Sequence, residues 1–417
     1  MTAPVKGRVS HWEIAAAAVT LFMFAEAFLP RLLAPGPVGP AGEIPESTFL
    51  RYLWLPFYGL VGLGLLAAGQ NAWRALIASP WLILLALLAI VSAVWSIDPE
   101  LSFRRGIALL ATTLLGIYLA ARFDWLTALR LLGGVWFALM AASLIAGIVA
   151  PDFAVMKEVH PGAWSGGWAE KNQLGGHAAR AAFLFAFLAW RDEAFQKTWG
   201  VALVLSVALV ALSTSATALL GTMLGFGILA AAWWMLKGRT WSLALVFGVT
   251  TIIGAAALTY VLAPELLFGL IGRDATLTGR TDIWAELIDA ISQKPALGYG
   301  YLAFWGLDSE PRYWLQKAVA WEAPSGHNGW LDLAVSLGLT GVVIYAIDVA
   351  ATVWRAGRLS MGSPAGVFAI GFLAQFMLFA MSESIILAQN SILWATYAFV
   401  SCKLALEAQR VREPAPA

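Results

Sequence analysis

Three short polar clusters stand out in an otherwise apolar chain. The first, 168–175, reads WAEKNQLG and holds Glu170, Lys171 and Asn172. The second, 272–282, holds Arg273, Asp274, Arg280, Thr281 and Asp282. The third, 325–332, reads SGHNGWLD and holds His327, Asn328 and Asp332. Arginine binds phosphate or carboxylate oxygens through the paired donors of its planar fork, and lysine supplies a point charge. Histidine accepts a proton near neutrality, because its unperturbed pKa is about 6.5. Arg180 follows the first cluster, about two turns into an apolar helix, where a cation needs a partner or a wet cavity. The competing readings are surface or interface anchoring for the four cations and a capping role for a lone histidine. Asn328 serves equally well as the N-cap of the following helix. Asp332, one turn further on, either orients His327 or sits at a water-lined helix end.

Membrane helices must position these groups. Of 417 residues, 60% are hydrophobic and 12% are charged. A soluble domain carries roughly 45–50% and about 25%, so too little polar material is present to coat one. One span takes about 20 apolar residues, which allows about a dozen spans. A soluble enzyme, a disordered chain and a one-span receptor are excluded. The net charge of +1 gives no bulk attraction to nucleic acid. A single cysteine, Cys402, rules out an internal disulfide and a cysteine-based metal cluster. The 4 histidines (His11, His160, His177, His327) argue against a multi-histidine metal site. Trp12, Trp54, Trp95 and Trp241 fall where spans meet loops, as an aromatic belt requires.

Apolar runs of span length fall near 12–34, 49–68, 78–96, 103–122, 126–150, 173–190, 198–213, 216–236, 241–262, 329–354, 365–383 and 391–406. Closed barrels would show short alternating segments instead. The expected fold is an all-α polytopic membrane protein of about twelve spans, one integral domain over 1–417. The first run continues past Glu26, so it is a retained span rather than a cleaved leader. Two of these runs, 198–213 and 216–236, are either separate helices or one broken helix. Lysine and arginine concentrate in alternate short loops, which places both termini in the cytoplasm. The long loop of about 263–328, between spans nine and ten, then faces outward with all three clusters. Ile283, Trp284, Leu287, Ile288 and Ile291 draw one helical stripe there, with Thr281 as its cap and Pro295 as its end. Pro311 opens a second short helix through Trp314 and Val319, and the two helices roof a cavity between spans.

Glu170 to Gly175, "TLTGRTDIW" with "PALGYGYLAFW", "HNGWLDLAVSLGLTG" and "WSIDPELSFRRG" together resemble the O-antigen ligase and Wzy-type polysaccharide polymerase family, in its exopolysaccharide-production branch. The resemblance covers about 95–341. It implies a bacterial inner-membrane glycosyltransferase that needs no metal or other cofactor. Its substrates would be glycan on undecaprenyl diphosphate and an acceptor glycan, both handled on the periplasmic face. A chain-length regulator or export proteins would be partners, and nucleic acid would not. A leaving diphosphate gathers negative charge, so fixed cations should surround it. Arg280, Arg273, Lys171 and Arg180 are the candidates. His327 is the candidate base for the attacking hydroxyl, with Asn172, Asn328 and Asp332 as acceptor-binding or orienting groups. In one respect the chain departs from the family: 213–217 reads STSAT, without the arginine often found there.

Polymerase is the preferred reading, with ligation to a lipid A core as its alternative. A transporter or flippase is the second alternative, since Glu26, Asp348 and Glu383 lie within or beside spans. The external charged loop argues against it, because carriers keep key charges at the midplane. Asp98 and Glu100 could hold a divalent ion bridging diphosphate, although Asp98-Pro99 also reads as an ordinary turn. Arg104 and Arg105 are candidates for lipid phosphates. His177 reads as packing and His160 as solvated.

Overall fold

The computed structural model describes residues 9–34, 48–158, 160–236, 280–359 and 363–410. Arg273 and the expected ninth span, 241–262, lie outside them. The described residues form helices and one isolated bridge, Val155 to Trp164. The helices are α1 (His11–Met23), α2 (Leu29–Leu32), α3 (Thr48–Leu53), α4 (Leu55–Ala68), α5 (Gln70–Ala78), α6 (Pro80–Val91), α7 (Pro99–Arg122), α8 (Trp125–Val149), α9 (Pro151–Ala154), α10 (Lys171–Arg191), α11 (Gln196–Ser213) and α12 (Ala216–Met235). After the undescribed stretch come α13 (Arg280–Gln293), α14 (Glu310–Val319), α15 (Gly329–Leu359), α16 (Pro364–Ala380) and α17 (Ile392–Arg410). Among the described residues, 6 helical stretches are long and apolar enough to cross a membrane, and α5–α6 makes a seventh if its 82° bend belongs to one broken span. This is a multi-pass membrane protein.

Local chemistry sets where the helices begin. Asp98 caps α7 by accepting from Leu101 N at 3.0 Å, and Pro99 follows it. Asp124 caps α8 in the same way, and Ser363 with Pro364 opens α16. Small polar caps satisfy the free amides of the first turn, and proline at the first position gives up no bond. The runs 198–213 and 216–236 prove to be two helices. Thr214 takes a left-handed φ of 51° and Ser215 caps α12. Buried α7 packs against α6 and α17, while α10 packs against both α11 and α12.

Two expected spans are shorter in the structure. The run 12–34 breaks after Met23, with Glu26 and Phe28 at φ of 51° and 59°. The run 365–383 ends at Ala380. Thr281 does not cap the loop helix, because Arg280 and Thr281 are already helical. In α13, Ile283 and Leu287 are buried but Ile288 is 59% exposed. With Tyr299, Phe304, Trp305, Leu315 and Val335 the two buried residues form a small core of their own. The loop helices are therefore packed onto the start of α15.

α15 is itself interrupted. Gly338 stands at φ 65° and ψ −171°, a region open in practice only to glycine. The loop after α13 fills the break: Tyr299 and Gly300 amides donate to Val335 and Ser336 carbonyls, at 2.9 and 3.0 Å. Leu339 and Thr340 amides return bonds to Pro295 and Ala296 carbonyls, at 2.8 and 3.2 Å. Backbone groups freed by a helix break need partners of this kind away from water. The "PALGYGY" segment thus locks the loop onto the helix that carries Asp332.

Candidate active site

Four interruptions in the helices meet around one cavity. They are 24–28 after α1, 165–170 before α10, 324–328 before α15 and 381–391 between α16 and α17. The first of them is bonded to the second and to the end of the fourth. Phe28 N donates to Gly167 O at 2.7 Å, Trp168 Nε1 to Ala25 O at 2.9 Å, and Ile392 N to Phe24 O at 2.5 Å. Arg31 adds Nη2 to Phe153 O at 2.6 Å and a further bond to Trp168 O. The enclosed space is about 820 Å³. Non-helical backbone is tolerated at membrane depth where it lines such a cavity.

The lining joins apolar and charged side chains. Phe24, Trp54, Leu55, Phe103 and Ile107 supply an apolar wall. Arg51, Arg104, Arg105 and Arg180 are its cations; Glu26, Glu170 and Glu383 are its carboxylates. Asn172, His177 and His327 also line it.

His327 sits in the tight turn before α15 at φ 46°, with its ring stacked on Trp321 at 5.6 Å. It is 8% exposed. Neither ring nitrogen has a hydrogen-bond partner among the described residues. Nδ1 lies 3.8 Å from Glu383 Oε2, outside bonding distance but within charge reach. Glu383 Oε1 is 3.6 Å from Arg280 Nη2, and Arg280 Nη1 donates to Ser382 O at 2.9 Å. Glu170 is near enough to feel His327, Glu383 and Arg280, and burial pushes its carboxyl above the usual range. One carboxylate therefore joins a histidine and an arginine that are distant in sequence.

Arg180 reaches the cavity from inside α10. Helical side chains lean toward the N-terminus, and α10 begins at the cavity. Nη1 donates to Gly176 O at 2.9 Å, and the guanidinium lies over the Phe379 ring at 4.0 Å. Nε and Nη2 are buried without hydrogen-bond partners among the described residues. Buried donors left without a partner carry a desolvation cost. His177, one turn earlier, stacks on Trp168 at 4.5 Å.

The other expected residues are placed less directly. Lys171 Nζ reaches Thr214 Oγ1 at 3.5 Å. Asn172 Oδ1 accepts from Ser215 Oγ at 3.0 Å, so the arginine-free stretch at 213–217 packs on the start of α10. Asn328 caps α15, accepting from Trp330 N at 3.0 Å. Asp332 accepts from Gly326 N at 3.0 Å, Trp305 Nε1 at 2.9 Å and Ser384 Oγ. It fixes the turn that carries His327 rather than touching the ring. Arg51 gave no signal in sequence. Glu383 did, as a carboxylate at a span end, but nothing in sequence paired it with His327. Among the described residues no group of three or more His, Cys, Asp or Glu is placed to hold a metal ion.

Residues 201–346 match a family model described as O-Antigen ligase. The chain is also 29% identical over 276 residues to the exopolysaccharide production protein ExoQ of Rhizobium meliloti (strain 1021), an alignment covering 63% of this chain and 62% of that protein. The chain therefore spans less than two thirds of the length of the relative it matches. Both likenesses support the O-antigen ligase and exopolysaccharide family. The family match contains Arg280, His327 and Asp332; Lys171, Arg180 and Glu383 lie outside it.

Proposed function

We propose, taking the O-antigen ligase and exopolysaccharide likeness as premise, that the chain is an inner-membrane glycosyltransferase that polymerises lipid-linked glycan. Glycan on undecaprenyl diphosphate is the donor, and a sugar hydroxyl on the periplasmic face is the acceptor. The observation that carries this reading is the cavity itself. It places a histidine with unused nitrogens, a buried arginine with unused donors and an apolar wall around one space. A polyprenyl chain suits the wall, a diphosphate suits the arginines, and a hydroxyl suits the histidine.

The reaction is one displacement. The acceptor oxygen attacks the anomeric carbon, its proton passes to His327, and the bond to phosphate breaks with its electron pair leaving on the lipid diphosphate. Glu383 lies beside Nδ1, so a proton on Nδ1 faces a carboxylate and Nε2 is left bare to take the proton of the hydroxyl. Arg180 faces the growing negative charge; Arg280, beside Glu383, and Lys171, at the start of α10, are further cations for it, as is Arg273 on the sequence reading. Asn172 is a further polar contact on the wall of the cavity, while Asn328 and Asp332 hold His327 in register. Fixed guanidinium charge does the work a metal ion would do.

The test is transfer from a lipid-linked glycan in proteoliposomes. His327→Ala should abolish transfer while the protein stays folded and inserted, and wild-type activity should survive a chelator. Full activity in His327→Ala removes the base; loss with chelator and rescue by a divalent ion restores the metal reading.

A further inference from the structure

A second chamber of about 720 Å³ adjoins the first. Arg51, Arg104, Arg105, Ser325 and Ser384 border both, so the two spaces share a wall. Their remaining walls differ in kind. The second contains Asp98, Glu100, Asp308, Arg312 and Trp305, and lacks the phenylalanines of the first. Glu100 and Asp308 are exposed. Arg312 is fixed by Nη1 donating to Trp305 O at 3.2 Å, and the Trp305 indole by its bond to Asp332. The chamber thus sets charged side chains, two of them exposed carboxylates, beside aliphatic ones such as Leu101, Leu307 and Leu333.

Carboxylates and guanidinium groups at fixed spacing match adjacent sugar hydroxyls, as acceptors and donors respectively. The shared border lies beside His327, since Ser325 accepts from the His327 amide at 3.4 Å.

We propose that the second chamber is the acceptor-glycan site. It takes the terminal sugars of the acceptor and presents one hydroxyl across the Ser325 border to His327, while the lipid diphosphate fills the first chamber. This rests on the donor assignment of the first chamber. Atoms balance as in the displacement above: the acceptor oxygen keeps its carbon, its proton goes to His327 and the diphosphate leaves.

Two measurements on the full chain test it. The first varies a lipid-free oligosaccharide, cleaved from the cell's own exopolysaccharide, as acceptor against a lipid-linked donor. The pair Asp308→Asn with Glu100→Gln should raise the acceptor KM about tenfold, the scale of one lost charge-assisted hydrogen bond, and leave the donor KM unchanged. An unchanged acceptor KM, or a rise in donor KM alone, overturns the assignment. The second places a photo-crosslinking residue at Leu307, which lines the second chamber and is 78% exposed, or at Phe103 in the first. Labelled oligosaccharide should be captured at Leu307, in competition with unlabelled sugar, and not at Phe103. Capture only at Phe103, or none at Leu307, overturns it. Capture at Leu307 without any transfer leaves the chamber standing and sinks the transfer reaction; transfer without capture does the reverse.

Discussion

At the scale of residues, the site turns on unused bonding capacity. Among the described residues most buried polar groups are paired; Asp332, for instance, accepts three bonds. His327 and Arg180 keep nitrogens without partners among the described residues, which costs stability unless a ligand fills them. Arg180→Ala should lower donor turnover by about a hundredfold, the scale of losing one fixed charge at a developing anion. Arg180→Lys should recover only part, because a lysine lacks the planar fork. A change confined to acceptor dependence would place the diphosphate elsewhere. On the far side of the bundle, Asp192 shows a different use of charge. Arg130 holds it through bonds of 2.8 and 2.6 Å and keeps its carboxyl below the usual range, with Trp199 Nε1 adding 2.9 Å. A lowered carboxyl stabilises the fold above its unfolded pKa of about 3.9 and loses that contribution as pH falls through the folded value. Asp192→Asn should therefore lower the melting temperature at neutral pH, with the gap to wild type closing on acidification. A gap that is constant with pH would remove the ion pair as its cause.

At the scale of elements, breaks matter more than helices. α1, α15 and the α16–α17 junction are each interrupted where an uninterrupted helix would bury all its backbone groups in itself. The breaks in α1 and at the α16–α17 junction are bonded together and wall the cavity, whereas the break in α15 is filled by the loop after α13. Gly338 is the sharpest case. A Cβ there would come within 2.3 Å of Ala296 O, and its φ of 65° with ψ near −171° excludes other residues. Gly338→Ala should cost on the order of 3 kcal/mol, release the loop between α13 and α15, and abolish transfer, which thermal unfolding and protease sensitivity would report. Normal melting would show that the docked loop is not under this constraint. The motif "PALGYGY" is legible as a resemblance, but its mechanical role is not. Nothing in its composition says that its amides complete another helix.

At the scale of the whole molecule, the function shows in the cell's glycans. Deleting the gene should remove long chains and leave single lipid-linked repeats. Lipid-linked long chains that never reach an acceptor would instead indicate a ligase, and loss of all external glycan a flippase. The architecture has a physical logic that serves any of these acceptors. On the proposed reading a polyprenyl tail enters from hydrocarbon and a sugar from water, so the site must stand where both can reach. Helix ends and short loops collected around one cavity provide that place, with apolar and charged walls side by side.

The sequence by itself determined the solvent, the helical class and most helix starts. Hydropathy, proline and small polar caps act within a few residues, and each leaves a local mark, as at Asp98-Pro99 and Ser363-Pro364. It also identified His327, Arg280 and Arg180 as unusual, because charged groups next to long apolar runs need a reason. Tertiary structure alone decided which of them meet. Glu383 lies beside His327 and Arg280 only because the turn after α16 folds back over the start of α15. The break at Glu26 depends on bonds to Gly167 and Ile392, far away along the chain. Such contacts are set by how helices pack, and no spacing within one segment encodes them.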